Sequence, residues 1–193
     1  IVRRLKTAGI ARAGISLDST DAAIHDAFRK HKGAWDATVA AMRMCKEHGL
    51  DFQVHTTVTR RNFNEIMDIT DFAITLGAKA HHIFFLVPTG RGKDINSVFI
   101  SAQDIRRVLE QILRRQKDCP IELKPVCAPQ FVPLAKHMGT DMRFARGCLA
   151  GTSYCCILPN GDVHPCPYLP LLVGNVRQEP FSAMWKANPV FTK

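Results

Sequence analysis

The sequence predicts an α/β protein: part of a β/α barrel or a small open parallel sheet, followed by a cysteine-rich hairpin region. Three observations carry this expectation. Apolar and amphipathic segments alternate as strand and helix through the first two thirds of the chain. Each crossover is long enough for right-handed parallel pairing. Beyond Pro125 prolines and glycines thicken, helical periodicity fades, and four of the seven cysteines fall between Cys148 and Cys166.

The elements follow in order. The first residues read as the end of a helix, and Ala11 to Leu17 as a buried strand closing in Asp18-Ser19-Thr20. Ser19 or Thr20 is the expected cap of a helix over 21–31, with Asp21 in its first turn. A second helix opens near Ala34; Trp35, Val39, Met42 and Cys45 recur at helical steps, and Gly49 stands where a helix stops. Phe52 to Val58 is a strand rich in β-branched residues. Asn62 with Glu65 predicts a capping box for a helix ended by Gly77, with Ile66, Ile69, Phe72, Ala73 and Leu76 as its buried stripe. His82 to Val87 is a continuous apolar strand, and Pro88-Thr-Gly-Arg-Gly a tight loop. Ser101 to Lys117 is an amphipathic helix with Ser101 and Asp104 in box spacing, and Ile121 to Val126 a further strand. Asn160-Gly161 turns a hairpin between Tyr154–Leu158 and Val163–Tyr168. Pro180 opens a short last helix. We place the domains at 1–126 and 127–193.

A closed eight-stranded barrel needs about 200–250 residues, more than the 193 of the whole chain. With 46% hydrophobic and 22% charged residues, the composition excludes a disordered or collagen-like chain. The longest apolar runs, such as Ile83 to Val87, fall far short of the ~20 residues of a membrane span. The net charge of +9 predicts attraction to anions. The arginine clusters at Arg60-Arg61 and Arg106-Arg107 have no nucleic-acid motif and no interleaved aromatics, so no nucleic-acid partner is expected.

Seven cysteines, an odd number without a secretory signal, point to a reducing, cytoplasmic setting and to metal or redox roles. Soft thiolates select zinc, copper(I) or iron–sulfur clusters, and the tight C-x₂₋₄-C pairs usual for zinc are absent. Neighbouring strand residues face opposite sides, so only one of Cys155 and Cys156 shares a face with a given partner. Cys148 and Cys166, beside glycine or proline turns, are the candidate ligands; Cys45 and Cys119 read as structural. Ser16 and Asp18, two residues apart near a strand's C-terminal end, point to the same side, where parallel α/β folds place their active sites. Thr57 and Pro88-Thr-Gly-Arg91-Gly end the next two strands, and Arg91 suits a carboxylate. His81-His82 reads as structural, and His164 sits inside the cysteine hairpin.

Gly14-Ile-Ser-Leu-Asp-Ser, His25-Asp-Ala-Phe-Arg, His55-Thr-Thr-Val-Thr-Arg and Phe84-Phe-Leu-Val-Pro-Thr-Gly-Arg-Gly resemble the latter half of a radical SAM barrel. Gly147-Cys-Leu-Ala-Gly and Pro159-Asn-Gly-Asp-Val-His-Pro-Cys resemble the start of a SPASM-type auxiliary-cluster domain. Together with Lys124-Pro-Val-Cys-Ala-Pro-Gln-Phe, these segments are most similar to the NirJ-like and heme b synthase group, which remodels tetrapyrrole side chains.

The resemblance implies a six-strand partial barrel of which this chain holds the last three strands. It implies S-adenosylmethionine contacts at Ser16, Asp18 and Thr57, with Leu86 and Val87 flanking the adenine. Cys148, Cys156 and Cys166 match auxiliary [4Fe–4S] ligands, with Cys127 or Cys155 as further candidates, and Arg91 is the candidate substrate contact. The implied partners are an anionic tetrapyrrole and a reductant such as ferredoxin or flavodoxin. The implied reaction is hydrogen abstraction from an iron porphyrin propionate, loss of CO₂ and formation of a vinyl group.

The C-x₃-C-x₂-C loop for the SAM-cleaving cluster and the closing cysteines of the SPASM pattern are not in this sequence. The expectation is therefore of a fragment, inactive alone, whose parent is the enzyme. The alternatives are side-chain cleavage on a siroheme-derived ring, a peptide-modifying radical SAM/SPASM enzyme, and a non-catalytic basic zinc-binding module.

Overall fold

The structure, a computed structural model, describes residues 1–89, 98–140 and 147–192. They form two compact units, Ile1–Ala145 and Arg146–Lys193.

In the first unit α1 (Val2–Thr7) leads into β1 (Arg12–Ser16), α2 (Ala22–Arg29), α3 (Ala34–Glu47), β2 (Asp51–Val58), α4 (Ile66–Leu76), β3 (Ala80–Phe85), α5 (Ala102–Arg115), β4 (Glu122–Val126) and α6 (Phe131–His137). The strands make one parallel four-stranded sheet in the order β1-β2-β3-β4. Four parallel strands, not three, are present: the segment after α5 joins the sheet at its edge. An edge position also accommodates Pro125, which pairs with Ile83 and has no N–H to give a further neighbour.

The strand period of two sorts the residues onto two faces. Phe52, Val54, Thr56 and Val58 of β2 are buried under the helices, and the residues between them are not. The helices answer with Val39, Met42 and Cys45 of α3, Ile66, Ile69 and Ala73 of α4, and Val108, Leu109, Ile112 and Leu113 of α5. One core thus lies between sheet and helices. The opposite face, with Gly14, Ser16, Gln53, His55, Thr57, His82, Phe84, Glu122 and Lys124, carries no helix among the described residues. It is polar, unlike the branched apolar filling usual inside a closed barrel.

Two capping expectations are corrected. Asp21 itself caps α2, accepting from the N–H groups of Ala23 and Ile24. Asn62 and Glu65 make no capping box, because both side chains are drawn into the strand-end network below. Ser101 caps α5 as its spacing predicts, taking the Asp104 N–H at 3.0 Å.

The second unit holds β5 (Cys156–Ile157), β6 (Asp162–His164) and β7 (Gly174–Asn175) in an antiparallel sheet, then α7 (Phe181–Ala187) and α8 (Pro189–Thr192). The hairpin turns at Asn160-Gly161, where Gly161 takes φ 95°. Val163, Met184 and Phe191 are its small core. Among the described residues no helix is long and apolar enough to cross a membrane.

Candidate functional site

The C-terminal ends of the parallel strands gather the polar residues. Asp18 follows β1 at 2% exposure. Its Oδ1 accepts the backbone N–H of Thr57 at 3.0 Å, and its Oδ2 lies 2.5 Å from Arg29 Nη2 as an ion pair. The Asp18 N–H donates to His25 Nδ1 at 3.1 Å. That bond requires an unprotonated Nδ1, and burial accordingly lowers the pKa of His25, with Asp18 only partly opposing it.

Asn62 closes the same seam. Its Nδ2 donates to the carbonyls of Asp18 at 2.8 Å and Thr57 at 2.9 Å, while its Oδ1 takes the Thr59 N–H at 2.7 Å. Glu65 Oε2 accepts from Ser19 Oγ and from both the N–H and hydroxyl of Thr20, fixing the turn after β1. Beneath this network His81, fully buried, bridges Thr56 Oγ1 at 2.7 Å and Thr70 Oγ1 at 2.9 Å. Thr56 Oγ1 in turn donates to the Leu17 carbonyl at 2.6 Å, so Nε2–H of His81 donates to Thr56. Burial pushes the imidazole pKa down to about 3.

The sequence-predicted rim is therefore divided by role. Asp18 ties β1, β2 and α2 together through the Thr57 N–H on Oδ1 and the Arg29 ion pair on Oδ2, which has no other hydrogen-bond partner among the described residues. Ser16 and Thr57 are half-buried on the open face, and their hydroxyls have no protein hydrogen-bond partner among the described residues. Leu86 and Val87, half-buried, follow β3 at the same edge. Cys127 immediately follows β4 there and is exposed, with φ 59°. Arg91 lies outside the described residues. Two free hydroxyls beside apolar side chains at the strand ends suit a nucleoside, which needs hydroxyl hydrogen bonds and a flat apolar flank.

Arg29, Asn62 and Glu65 escaped the sequence reading. His25 and Arg29, four apart, share one face of α2, and that spacing was the available signal. Asn62 and Glu65 gave a misleading one, since their spacing imitates a local cap.

In the second unit Cys155 packs against the core around Val163, and so its neighbour Cys156 faces the other way. Burial, then the nearby Cys166 thiol, raises the Cys156 pKa, while the His164 backbone N–H bonds its sulfur and opposes the rise. The Tyr168 N–H reaches Cys166 Sγ at 3.5 Å. Each of these thiols thus receives a backbone N–H, the pattern that stabilises a metal-bound thiolate. Cys148 is exposed. Among the described residues no three His, Cys, Asp or Glu side chains gather to hold a metal. Cys156 and Cys166 are of the right soft chemistry for a cluster's donor set.

Residues 1–73 match the radical SAM superfamily, and residues 148–193 match SPASM, an iron-sulfur cluster-binding domain. The chain is 39% identical to the AdoMet-dependent heme synthase of Methanosarcina barkeri, across 100% of this chain and 58% of that protein. It is 38% identical to the AdoMet-dependent heme synthase of Nitratidesulfovibrio vulgaris, across 98% of this chain and 55% of that protein. It spans little more than half the length of these curated relatives. The Streptococcus suis SuiB structure bound to S-adenosylmethionine superposes with a TM-score of 0.72 at 17% identity, covering 98% of this chain and 45% of that one. That likeness is one of fold.

Proposed function

The chain belongs to the radical SAM superfamily, in its SPASM-bearing branch, and from that membership we propose that it is part of a heme-biosynthetic enzyme acting on the propionates of an iron porphyrin. The observation that carries this reading is the 39% identity to a heme synthase over the entire chain. The +9 charge supports it, because the substrate class bears several carboxylates.

When bound, S-adenosylmethionine and a reduced iron–sulfur cluster would supply the radical chemistry, and the auxiliary cluster would supply an electron acceptor. The residues of this chain bind and orient. Ser16 and Thr57 present hydroxyls to the ribose or methionine part of the cofactor, and Leu86 and Val87 flank its base. Asp18, Arg29, Asn62 and His25 hold the β1 and β2 ends rigid so that these contacts keep their spacing, which is how positioning lowers a barrier. Arg91 is the proposed contact to a substrate carboxylate. Cys156 and Cys166, with Cys148 as a further ligand, would hold the auxiliary cluster, and Cys127 stays a candidate ligand at the end of β4. A reducing cytoplasmic compartment and a low-potential reductant such as ferredoxin or flavodoxin are the setting this chemistry requires.

The test is anaerobic turnover of the full-length protein with iron coproporphyrin. Porphyrin products lighter by CO₂ plus hydrogen at each converted side chain are expected. A mass change on a peptide instead, or turnover that leaves the propionates intact, overturns the reading. Cys156→Ser and Cys166→Ser should each lower iron content in the reconstituted protein, and Cys45→Ala should leave it unchanged.

A further inference from the structure

The open face of the sheet carries a hydrogen-bonded series that no strand-end contact uses. The register sets Ser16 beside His55, His55 beside His82 and His82 beside Lys124. The His55 and His82 rings stack at 5.4 Å, 7° from parallel. His82 Nε2 lies 3.3 Å from Glu122 Oε1, and Gln53 Nε2 lies 3.4 Å from His82 Nδ1 and 2.7 Å from His55 Nε2.

These contacts have one consistent proton assignment. A carboxylate accepts, so His82 carries its proton on Nε2 and leaves Nδ1 as an acceptor. The Gln53 amide nitrogen only donates, and its two protons serve His82 Nδ1 and His55 Nε2. His55 must then carry its proton on Nδ1. That atom has no partner among the described residues and is not enclosed. The Phe84 ring, tilted at 5.2 Å from His55, and the bare Cα of Gly14 under its ring hold the imidazole in place. Lys124 and Arg12 are cations felt by His82, and Glu122 is the carboxylate that faces it among the described residues.

We propose that the Glu122–His82–Gln53 series fixes His55 as the neutral tautomer protonated on Nδ1, and that this N–H donates to a carboxylate oxygen of the substrate, one residue layer beneath the strand-end rim. The carboxylate rests on the porphyrin reading above; the tautomer does not. A neutral N–H donor suits an anion. It adds a directed hydrogen bond to the long-range attraction and stays out of proton exchange at neutral pH.

Two measurements on the full-length protein test this. Long-range ¹⁵N–¹H spectra of the histidine rings should show His55 protonated on Nδ1, and Gln53→Leu, which removes both amide donors, should abolish that preference. A proton found on Nε2 of His55 in the wild type overturns the series. Binding of an iron porphyrin with propionate side chains should weaken about tenfold in His55→Phe, the worth of one hydrogen bond to a charged group, and recover partly in His55→Gln. Porphyrin binding that is indifferent to His55→Phe overturns the anchor alone. A wild type that binds no iron porphyrin overturns the substrate reading and the anchor with it, whatever the spectra show for the tautomer.

Discussion

The backbone N–H of Thr57 donates to Asp18 Oδ1 at 3.0 Å, tying the end of β2 to the turn after β1 through a carboxylate that is almost wholly buried. The same carboxylate meets Arg29 on its other oxygen. Its removal would leave a backbone donor and a guanidinium without their acceptor. Asp18→Ala should therefore cost about 2–4 kcal/mol in denaturant unfolding, with an unchanged m-value. Asp18→Asn retains an oxygen for Thr57 and loses the ion pair, so it should cost about half as much. Equal costs for the two variants would place the importance in the Arg29 pair and not in the Thr57 bond.

His81 gives the fold a pH dependence whose sign is fixed by its burial. The folded pKa, about 3, lies below the ordinary 6.5. Above pH 6.5 the ring is neutral in both folded and unfolded chains and contributes no slope. Between 6.5 and 3 only the unfolded chain takes up the proton, so stability falls with falling pH by about 1.4 kcal/mol per unit. His25, lowered in the same direction by burial, adds to the fall below pH 6.5. Urea midpoints measured from pH 7.5 to 4 should decline, and His81→Leu should flatten part of that decline while lowering stability at pH 7.5. A midpoint independent of pH over this range would contradict the neutral, buried imidazole.

Much of this frame is legible in the sequence because it is local. The helix stops at Gly77, the Ser101 cap and the Asn160-Gly161 turn are set by residues within a few positions of each other, and each forms as expected. β1, β2 and β4 fall within a residue of their expected bounds for the same reason, whereas β3 runs Ala80–Phe85, two residues ahead of the expected His82–Val87. The rim did not read so well. Asp18 meets Thr57 across 39 positions and Asn62 meets Asp18 across 44, and nothing in the spacing of these residues announces those bonds. The partners of a carboxylate at a strand end come from residues far along the chain, so its local spacing leaves them unread. β7 was missed because two residues, Gly174 and Asn175, show no alternation, and α6 because Pro133 interrupts its pattern.

Gly14 is the position where the open face is most sensitive to a single methyl group. A Cβ there would stand 2.8 Å from His55 Cε1, and that ring is held by Gln53 and stacked on His82. Gly14→Ala should displace His55 from its place in the series. Its net effect on stability should be small, within about 1 kcal/mol, because the methyl also reduces the freedom of the unfolded chain. The resonances of the His55 ring should nevertheless move. An unmoved His55 spectrum in Gly14→Ala would show that the ring is not seated over that strand.

The hairpin of the second unit offers the sharpest contrast between a local turn and its function. Gly161 adopts φ 95°, a left-handed backbone that a side chain disfavours by about 1–2 kcal/mol. The added Cβ would also meet Asn175 Oδ1 at 2.6 Å and Arg177 Cγ at 3.1 Å. Asn175 cannot easily yield. Its Oδ1 takes the Arg177 N–H at 2.8 Å, and its Nδ2 donates to Asp162 Oδ1 at 2.8 Å and to the Asn160 carbonyl at 3.2 Å. Gly161→Ala should therefore cost about 2–4 kcal/mol, the strain and the broken contacts together. The loss should fall on the second unit, whose core of Val163, Met184 and Phe191 is small. Amide exchange should accelerate across β5, β6 and β7 and stay unchanged in the parallel sheet. Because β5 carries Cys156 and the chain after β6 carries Cys166, the same variant should also lower the iron taken up on anaerobic reconstitution of the full-length protein. Full iron loading in a protein with faster β5–β6 exchange would mean that the two thiols do not depend on this turn for their spacing.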